Sequence, residues 1–240
     1  PDPSYYAHRH AHCDVLVAGG GPAGLAAALA AARAGARVIL ADEGSQFGGS
    51  LLADRADIDG EPALNWVQRT VAELRSLPDV TLIPRATVFG YFDHNALTIA
   101  ERPYQPPAHA PAQTQWKVRA REVVLATGAL ERPLVFANND RPGVMLASAV
   151  RAYVNRYAVK PGSRAVVFTN NDSAYLTALD LHAAGVRTTI VDSRRGSLGR
   201  GPIAAQKATL DIRFSTGITR VHRGQQATAV DLAQIDDAGN

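Results

Sequence analysis

A glycine-rich stretch near the N-terminus has the spacing of a dinucleotide-binding loop. Gly19, Gly21 and Gly24 fit the pattern G-x-G-x-x-G, with Pro22 and Ala23 before the third glycine. In such a loop the first glycine permits a tight turn, the second lets the backbone approach a pyrophosphate, and the third allows a helix to pack closely on a strand. The helix would offer unpaired N–H groups and a partial positive charge to the phosphates. The motif therefore predicts a nucleotide-binding site, provided that a strand precedes it and a helix follows.

An acidic pair, Asp42 and Glu43, follows the glycines at the end of the apolar run 38–41. A carboxylate about twenty residues beyond the glycines accepts hydrogen bonds from a ribose diol and repels a 2′-phosphate, which favours NAD or FAD over NADP. We place Asp42 at the ribose, with Glu43 as the alternative.

Two further groups of small residues are candidates for the same site. Gly48, Gly49 and Ser50 follow the acidic pair, and Ser50 adds a hydroxyl. Thr127 and Gly128 end another apolar run. Open parallel sheets bind ligands at the carboxyl ends of their strands, so both groups are candidate cofactor contacts, although each also fits an ordinary turn.

The other residues with possible chemistry are histidines and a cysteine. His8, His10 and His12 alternate, and three imidazoles on one face of an extended segment can bind zinc. No carboxylate or cysteine completes a spaced ligand set, so a solvated arm is the preferred interpretation. Cys13 is the only cysteine, which excludes internal disulfides and CxxC redox pairs and favours a packed apolar residue.

Apolar patterning places these motifs on alternating strands and helices. A strand at 13–18, a helix at 23–34 and a strand at 38–41 form a β-α-β unit, and a similar unit recurs at 165–192. The sequence predicts an α/β fold with a Rossmann-like parallel sheet. We expect an N-terminal arm at 1–13 and a dinucleotide-binding domain at 14–145, with an antiparallel β-meander inserted at about 86–118. Residues 146–240 would form part of a second, degenerate nucleotide-binding-like domain, because Thr169 to Ser173 stand where glycines would lie.

Composition excludes several classes of function. The chain has 46% hydrophobic and 20% charged residues and a formal net charge of +3, which is typical of a soluble globular protein. Lysines and arginines are scattered among acids, so we expect no nucleic-acid partner. Glycines and a proline interrupt the longest uncharged run, so we expect no membrane segment. The lone cysteine agrees with a reducing, cytoplasmic location.

Several longer strings carry a resemblance to a known family. The glycine loop, the acidic pair, Gly48-Gly49 and Thr127-Gly128, in this order, resemble the two-dinucleotide-domain flavoproteins that include thioredoxin reductase. More narrowly, the strings at 8–12, 128–133, 138–145 and 168–172 resemble the alpha subunit of heterotetrameric sarcosine oxidase.

This resemblance implies a noncovalently bound NAD in the alpha subunit, while sarcosine is oxidised at flavin in the beta subunit. It places NAD contacts on Ala23, Asp42, Glu43, Ser50 and Val88, and it assigns no catalytic residue to this chain. Because the chain starts at Pro1 and matches the interior of that subunit, we expect it to be the middle of a larger polypeptide.

Two alternatives stay open from the sequence. One is an FAD-dependent oxidoreductase domain of a related amino-acid or opine dehydrogenase. The other is a structural scaffold whose dinucleotide site is empty. NAD and FAD present the same ribose and pyrophosphate to these residues, so the motifs do not separate them.

Overall fold

The computed structural model describes residues 5–107, 109–196, 199–222 and 227–236. The chain divides into two compact units, Pro1–Ala129 and Leu130–Asn240. This division falls before the expected boundary at 145/146. The segment after Leu130 belongs to the second unit because it pairs there: Ala137 N–H donates to Thr219 O at 3.0 Å.

Unit 1 is built on a sheet whose strands pair in both directions. Its strands are β1 (Tyr6–Ala18), β2 (Val38–Asp42), β3 (Asp57–Ile58), β4 (Glu61–Pro62), β5 (Val80–Pro84), β6 (Ala86–Phe92), β7 (Ala96–Glu101) and β8 (Gln113–Leu125). Six of them form one sheet in the order β5-β2-β1-β8-β7-β6, and β3 pairs with β4. The pairs among β5, β2, β1 and β8 are parallel, whereas β6, β7 and β8 pair antiparallel. The predicted α/β fold with a parallel sheet is confirmed.

Two helices cover one face of the parallel part of this sheet. Helix α1 (Pro22–Arg33) is rich in alanine, the strongest helix former. Helix α2 (Ala63–Ser76) buries Val67, Val71 and Leu74 at the three-to-four spacing of an amphipathic helix. Their side chains join those of β1 and β2 in one apolar cluster, and a second cluster on the other face runs from the parallel strands into the meander. The strand ends are thus held by packing on both faces.

The expected arm at 1–13 is corrected by the structure, because residues from Tyr6 onward belong to β1. Strand β1 pairs with β8 in continuous register from Tyr6 opposite Gln113 to Ala18 opposite Leu125. The meander, expected to end near 118, continues without a break into the apolar run before Thr127, since both belong to the single strand β8. Polar residues at every second position of β1 and β8 interrupt the apolar runs that predict buried strands, because one face of the antiparallel part of the sheet is open to solvent.

Unit 2 repeats the β-α-β arrangement. Its elements are α3 (Ala147–Arg151), β9 (Arg164–Thr169), α4 (Ser173–Ala183), β10 (Arg187–Asp192), α5 (Arg200–Lys207), β11 (Asp211–Arg213), β12 (Thr216–Val221) and β13 (Val230–Gln234). The parallel sheet has the order β11-β10-β9, and β12 and β13 form a separate antiparallel pair that apolar patterning does not predict. Helix α3 continues into a π-helical turn at Ala152–Arg156.

In the part of the chain that the structure describes, every helix is too short or too polar to cross a membrane.

Candidate functional site

The carboxyl ends of three neighbouring strands bring the sequence motifs together. The sheet order β2-β1-β8 places the acidic pair, the glycine loop and Thr127-Gly128 at one edge. Gly19 N–H donates to Ala41 O at 2.8 Å, and Ala126 N–H donates to Ala18 O at 2.8 Å, so the three strand ends are level. This is the edge at which parallel sheets bind nucleotides.

Two glycines of the motif are required by the fold itself. Gly19 has φ of +104°, and a Cβ on it would overlap with Ala126 O. A Cβ on Gly24 would overlap with Gly19 O, where α1 crosses the end of β1. These positions therefore secure the strand-to-helix turn whether or not a ligand is bound.

Gly21 is different, because nothing in the protein fills the space beside it. Its φ of −73° and ψ of −174° suit any residue, and the nearest atom to a Cβ built on it is Gly49 Cα at 3.9 Å. The missing side chain leaves an opening in front of α1. A ligand backbone or pyrophosphate that approaches this opening would explain why the position is glycine.

The second small-residue loop borders the same opening. Gly49 has φ of +54°, and a Cβ on it would lie 2.8 Å from Gly21 Cα. Gly48 N–H donates to Gly20 O at 2.8 Å, which joins the loop to the glycine motif. Ser50 is exposed in the 3-10 turn Gly49–Leu52 that follows. The structure thus brings Gly48, Gly49 and Ser50 to the place that the sequence predicts.

The start of α1 is open to an anion. Gly21 is the N-cap, Pro22 stands in the first turn, and neither a capping side chain nor an acidic residue lies there. Ala23 is exposed. A helix start without a capping side chain carries partial positive charge and N–H groups available to a ligand.

Asp42 shapes both loops of the site. Its Oδ2 accepts a hydrogen bond from Gly20 N–H at 2.5 Å, and its Oδ1 accepts one from Gly44 N–H at 2.7 Å. Glu43, the next residue, is exposed. Because each carboxylate oxygen accepts more than one hydrogen bond, the arrangement leaves Asp42 able to receive a ribose hydroxyl, and it also brings Glu43 to the same edge.

Val88 and the β8 end complete the set of expected contacts. Thr127 and Gly128 are exposed just beyond β8. Val88 lies in β6, opposite Ile99 and half-buried against the apolar cluster of the meander. Strand β6 is far from β2 in the sheet order, yet Arg85 N–H donates to Gly44 O at 2.9 Å, which ties the start of β6 to the loop after Asp42. Sequence spacing gives no signal for this link.

Together these features fit the adenosine diphosphate part of a dinucleotide. The space beside Gly21 lies in front of the uncapped start of α1, and the carboxylates of Asp42 and Glu43 lie at the end of β2, where dinucleotide-binding folds carry their ribose-binding acid. Groups of three or more side chains able to hold a metal ion are absent from the described residues.

Comparison with known proteins agrees with this geometry. The model of the family described as FAD dependent oxidoreductase matches residues 14–142, which is more than half of the chain. The chain belongs to this oxidoreductase family. It is also 54% identical to the sarcosine oxidase subunit alpha of Rhizobium meliloti (strain 1021), over 99% of this chain and 25% of that one. It is 45% identical to the sarcosine oxidase subunit alpha of Corynebacterium sp. (strain P-1), over 98% of this chain and 25% of that one.

The chain therefore spans about a quarter of the length of these relatives. The resemblance to sarcosine oxidase alpha subunits that the sequence predicts is confirmed. Among solved structures, the Lactococcus lactis thioredoxin reductase is similar, with a TM-score of 0.70 at 19% identity, over 95% of this chain and 73% of that one. This likeness shows the fold alone.

The one cysteine of this member of the oxidoreductase family is not placed for redox chemistry. Cys13 is buried in β1. Burial, together with the neighbouring Asp14 carboxylate, raises the pKa of its thiol to about 11. The thiolate is the reactive form of cysteine, so this side chain is inert near neutral pH.

In unit 2, the loop that corresponds to the glycine motif is occupied by its own side chains. Asn171 Oδ1 accepts a hydrogen bond from Ser173 N–H at 2.9 Å. Asp172 pairs with Arg194 Nη2 at 2.8 Å, and the same nitrogen lies 2.7 Å from the buried carboxylate of Asp192. A Cβ added to Gly199 would overlap with Asp172. These contacts fill the space in front of α4 that a pyrophosphate would need.

Proposed function

We propose that this chain holds NAD at the glycine loop and serves as a noncatalytic nucleotide-binding part of an amine-oxidising flavoenzyme complex. The observation that carries the proposal is the unfilled space beside Gly21, in front of a helix start that has no capping side chain. Among the described residues no atom comes closer than 3.9 Å to a Cβ built there, and a bound pyrophosphate would account for a glycine at this position beyond its N-cap preference.

Each residue at this edge would have a defined task. The backbone of Gly21 and the first turn of α1, including Ala23, would receive the pyrophosphate. Asp42 or Glu43 would accept the ribose hydroxyls, and the Ser50 hydroxyl would add a further hydrogen bond. Asp42 would also hold the loop shape through the N–H groups of Gly20 and Gly44.

Other loops would close the site around the ligand. Gly48 and Gly49 let the second loop approach the motif, Thr127 and Gly128 would border the dinucleotide from β8, and Val88 would contact it from β6. Bound in this way, NAD supplies a structural ligand. A ligand that binds only the folded state stabilises that state by about 2.7 kcal/mol at a hundredfold excess over its Kd.

Two observations support a noncatalytic role for this part of the polypeptide. The single cysteine is buried with a raised pKa, so a disulfide-reductase reaction has no dithiol here. The loop in unit 2 is filled by Asp172 and Arg194, so a second dinucleotide would have no phosphate cradle. Catalysis would then belong to another part of the complex, which we take to be a cytoplasmic sarcosine oxidase with its flavin in a beta subunit.

The family match favours a second candidate. Residues 14–142 match a family described by its FAD dependence, and FAD carries the same adenosine diphosphate as NAD. In that case the chain would be the FAD-binding domain of an amino-acid or opine dehydrogenase, and the flavin would react within this polypeptide.

Mass spectrometry of the ligand released by acid from the intact, full-length complex tests the proposal. The subunits are separated first, so that flavin belonging to the other subunits is assigned to them. We expect one NAD for each alpha chain. FAD released from the isolated alpha chain would instead establish the second candidate. An alpha chain that releases no dinucleotide would be a scaffold with an empty site, and the proposal would be wrong.

A further inference from the structure

The N-terminal half of β1 presents a face of histidines. His8, His10 and His12 are exposed, whereas Ala11 and Cys13 pack against the apolar cluster on the other face of the sheet. Neighbouring residues in register share a face of a sheet. In register with these histidines, β8 places Gln115, Lys117 and Arg119.

This basic face, defined as His8, His10, His12, Lys117 and Arg119, contains no carboxylate. Strand β7 contributes Ala96, Thr98 and Ala100 beside it, and β6 contributes Thr87, Gly90 and Phe92 beyond them. The nearest acid at an outward position of β1 or β8 is Asp14. Its Oδ2 already accepts a hydrogen bond from Arg37 N–H at 2.9 Å, and its Oδ1 lies 3.6 Å from Arg121 Nη1.

The strand register sets imidazoles and two cations side by side on this face. His10 lies beside Lys117 and His12 beside Arg119, with no acid between them. Standard strand spacings put the five side chains in an area of about 13 Å by about 5 Å. Arg119 is also held in place, because its Nη1 donates to His94 O at 3.1 Å. The same Nη1 lies 3.5 Å from Asp93 O, so two carbonyl oxygens orient the guanidinium. Two cations and three imidazoles on one face are suited to an anionic partner.

We propose that the basic face docks an acidic surface of another protein subunit. The assignment rests on charge complementarity, and it also rests on the proposed function within a complex, since the similar proteins are named as alpha subunits. Carboxylates of the partner would accept hydrogen bonds from the guanidinium of Arg119, the ammonium of Lys117 and the imidazole N–H groups. This surface is separate from the glycine loop, which lies at the opposite end of β1.

Charge reversal in the full-length complex tests the docking surface. The Lys117→Glu/Arg119→Glu variant of the alpha chain is compared with Lys160→Glu/Arg164→Glu, which makes the same charge change at exposed positions of unit 2. Binding of each purified alpha chain to the remaining subunits is measured at about 50 mM and about 300 mM NaCl. We expect the first variant to bind about tenfold or more weakly at low salt and to lose most of the salt dependence of the unmodified chain.

The control variant should bind like the unmodified chain. Equal weakening of both variants would show a general charge effect and would overturn the proposal, as would an unchanged affinity of the first variant. Poly-L-glutamate and a short DNA duplex serve as direct probes of the basic face. Tighter binding of the duplex than of poly-L-glutamate would indicate a nucleic-acid partner and would overturn the proposal of an acidic protein. Dinucleotide content is measured on the same samples. Lost binding with retained dinucleotide separates this surface from the proposed NAD site.

Discussion

Gly21→Ala and Gly24→Ala should separate a glycine kept for a ligand from a glycine kept for packing. A methyl group on Gly24 would overlap with Gly19 O, so the α1 start or the glycine turn must shift by about 1 Å or more to reach ordinary contact distance. Because the overlapping atom belongs to the backbone, this overpacking costs about 2–3 kcal/mol, the upper part of the usual range, and about 1 kcal/mol of helix propensity is regained. We expect a net loss of about 1–2 kcal/mol, which lowers Tm by about 2–8 °C for a chain of this size.

A methyl group on Gly21 meets no atom closer than 3.9 Å. Its φ of −73° is also ordinary for alanine, so the cost in the ligand-free state is limited to the poorer N-cap, about 0.5–1 kcal/mol. The same methyl group occupies the opening through which a pyrophosphate would approach, and we expect most of the bound dinucleotide to be lost.

The assay has two parts because a bound ligand itself raises Tm. Melting curves are recorded on protein stripped of dinucleotide, and ligand content after reloading is measured by mass spectrometry. Full retention of the dinucleotide by Gly21→Ala would refute the assignment of this space to a ligand. A stripped Gly24→Ala protein as stable as the unmodified one would refute the packing argument.

Three other predictions follow from the contacts of single side chains. Asp42→Ala should lower the free energy of unfolding by about 2–3 kcal/mol even in protein stripped of dinucleotide, because two backbone N–H groups lose their acceptor. The control Glu43→Ala should leave the melting curve unchanged. Equal melting temperatures of the two variants would contradict the role of Asp42 in holding the loops. Arg194→Met should cost about 3 kcal/mol by removing the cation that pairs with the buried Asp192 carboxylate, which keeps only its hydrogen bonds from Tyr175 and the backbone. Burial alone would raise the pKa of Asp192, but hydrogen bonds from Arg194 hold it below its usual value. This stabilisation is therefore present above about pH 4 and is lost as the pH falls further. The Arg194→Met variant lacks it, so the free energy of unfolding of the variant should fall less steeply below about pH 4 than that of the unmodified protein. Cys13, whose pKa is about 11, should resist a thiol reagent at pH 8 and react only on unfolding; rapid labelling of folded protein would contradict its burial.

Local sequence patterns predicted most of the α/β core correctly. The alanine-rich run of α1 reflects the helix preference of residues within one or two turns, and the apolar runs of β2 and β9 reflect strands buried on both faces. The glycine motif was interpretable because its spacing matches a strand-to-helix turn. In each case the signal lies within a few neighbouring residues.

Long pairings were not predictable in this way. The pairing of β1 with β8 joins residues more than a hundred positions apart, and the histidines that suggested a solvated arm are one face of a strand whose partner comes much later. The antiparallel pairing of β12 with β13 is not predicted because polar residues interrupt both strands.

The sequence by itself determined the order of the motifs and therefore the kind of site: glycines, then an acid, then small residues at a strand end. Only the tertiary structure decided what each residue does there. Gly24 is fixed by contact with Gly19 O, Gly21 borders unfilled space, and Asp42 is bonded to the backbone of two loops. These differences arise from atoms brought together by strand order and helix packing, so residues of one type and one motif acquire separate roles that spacing along the chain does not encode.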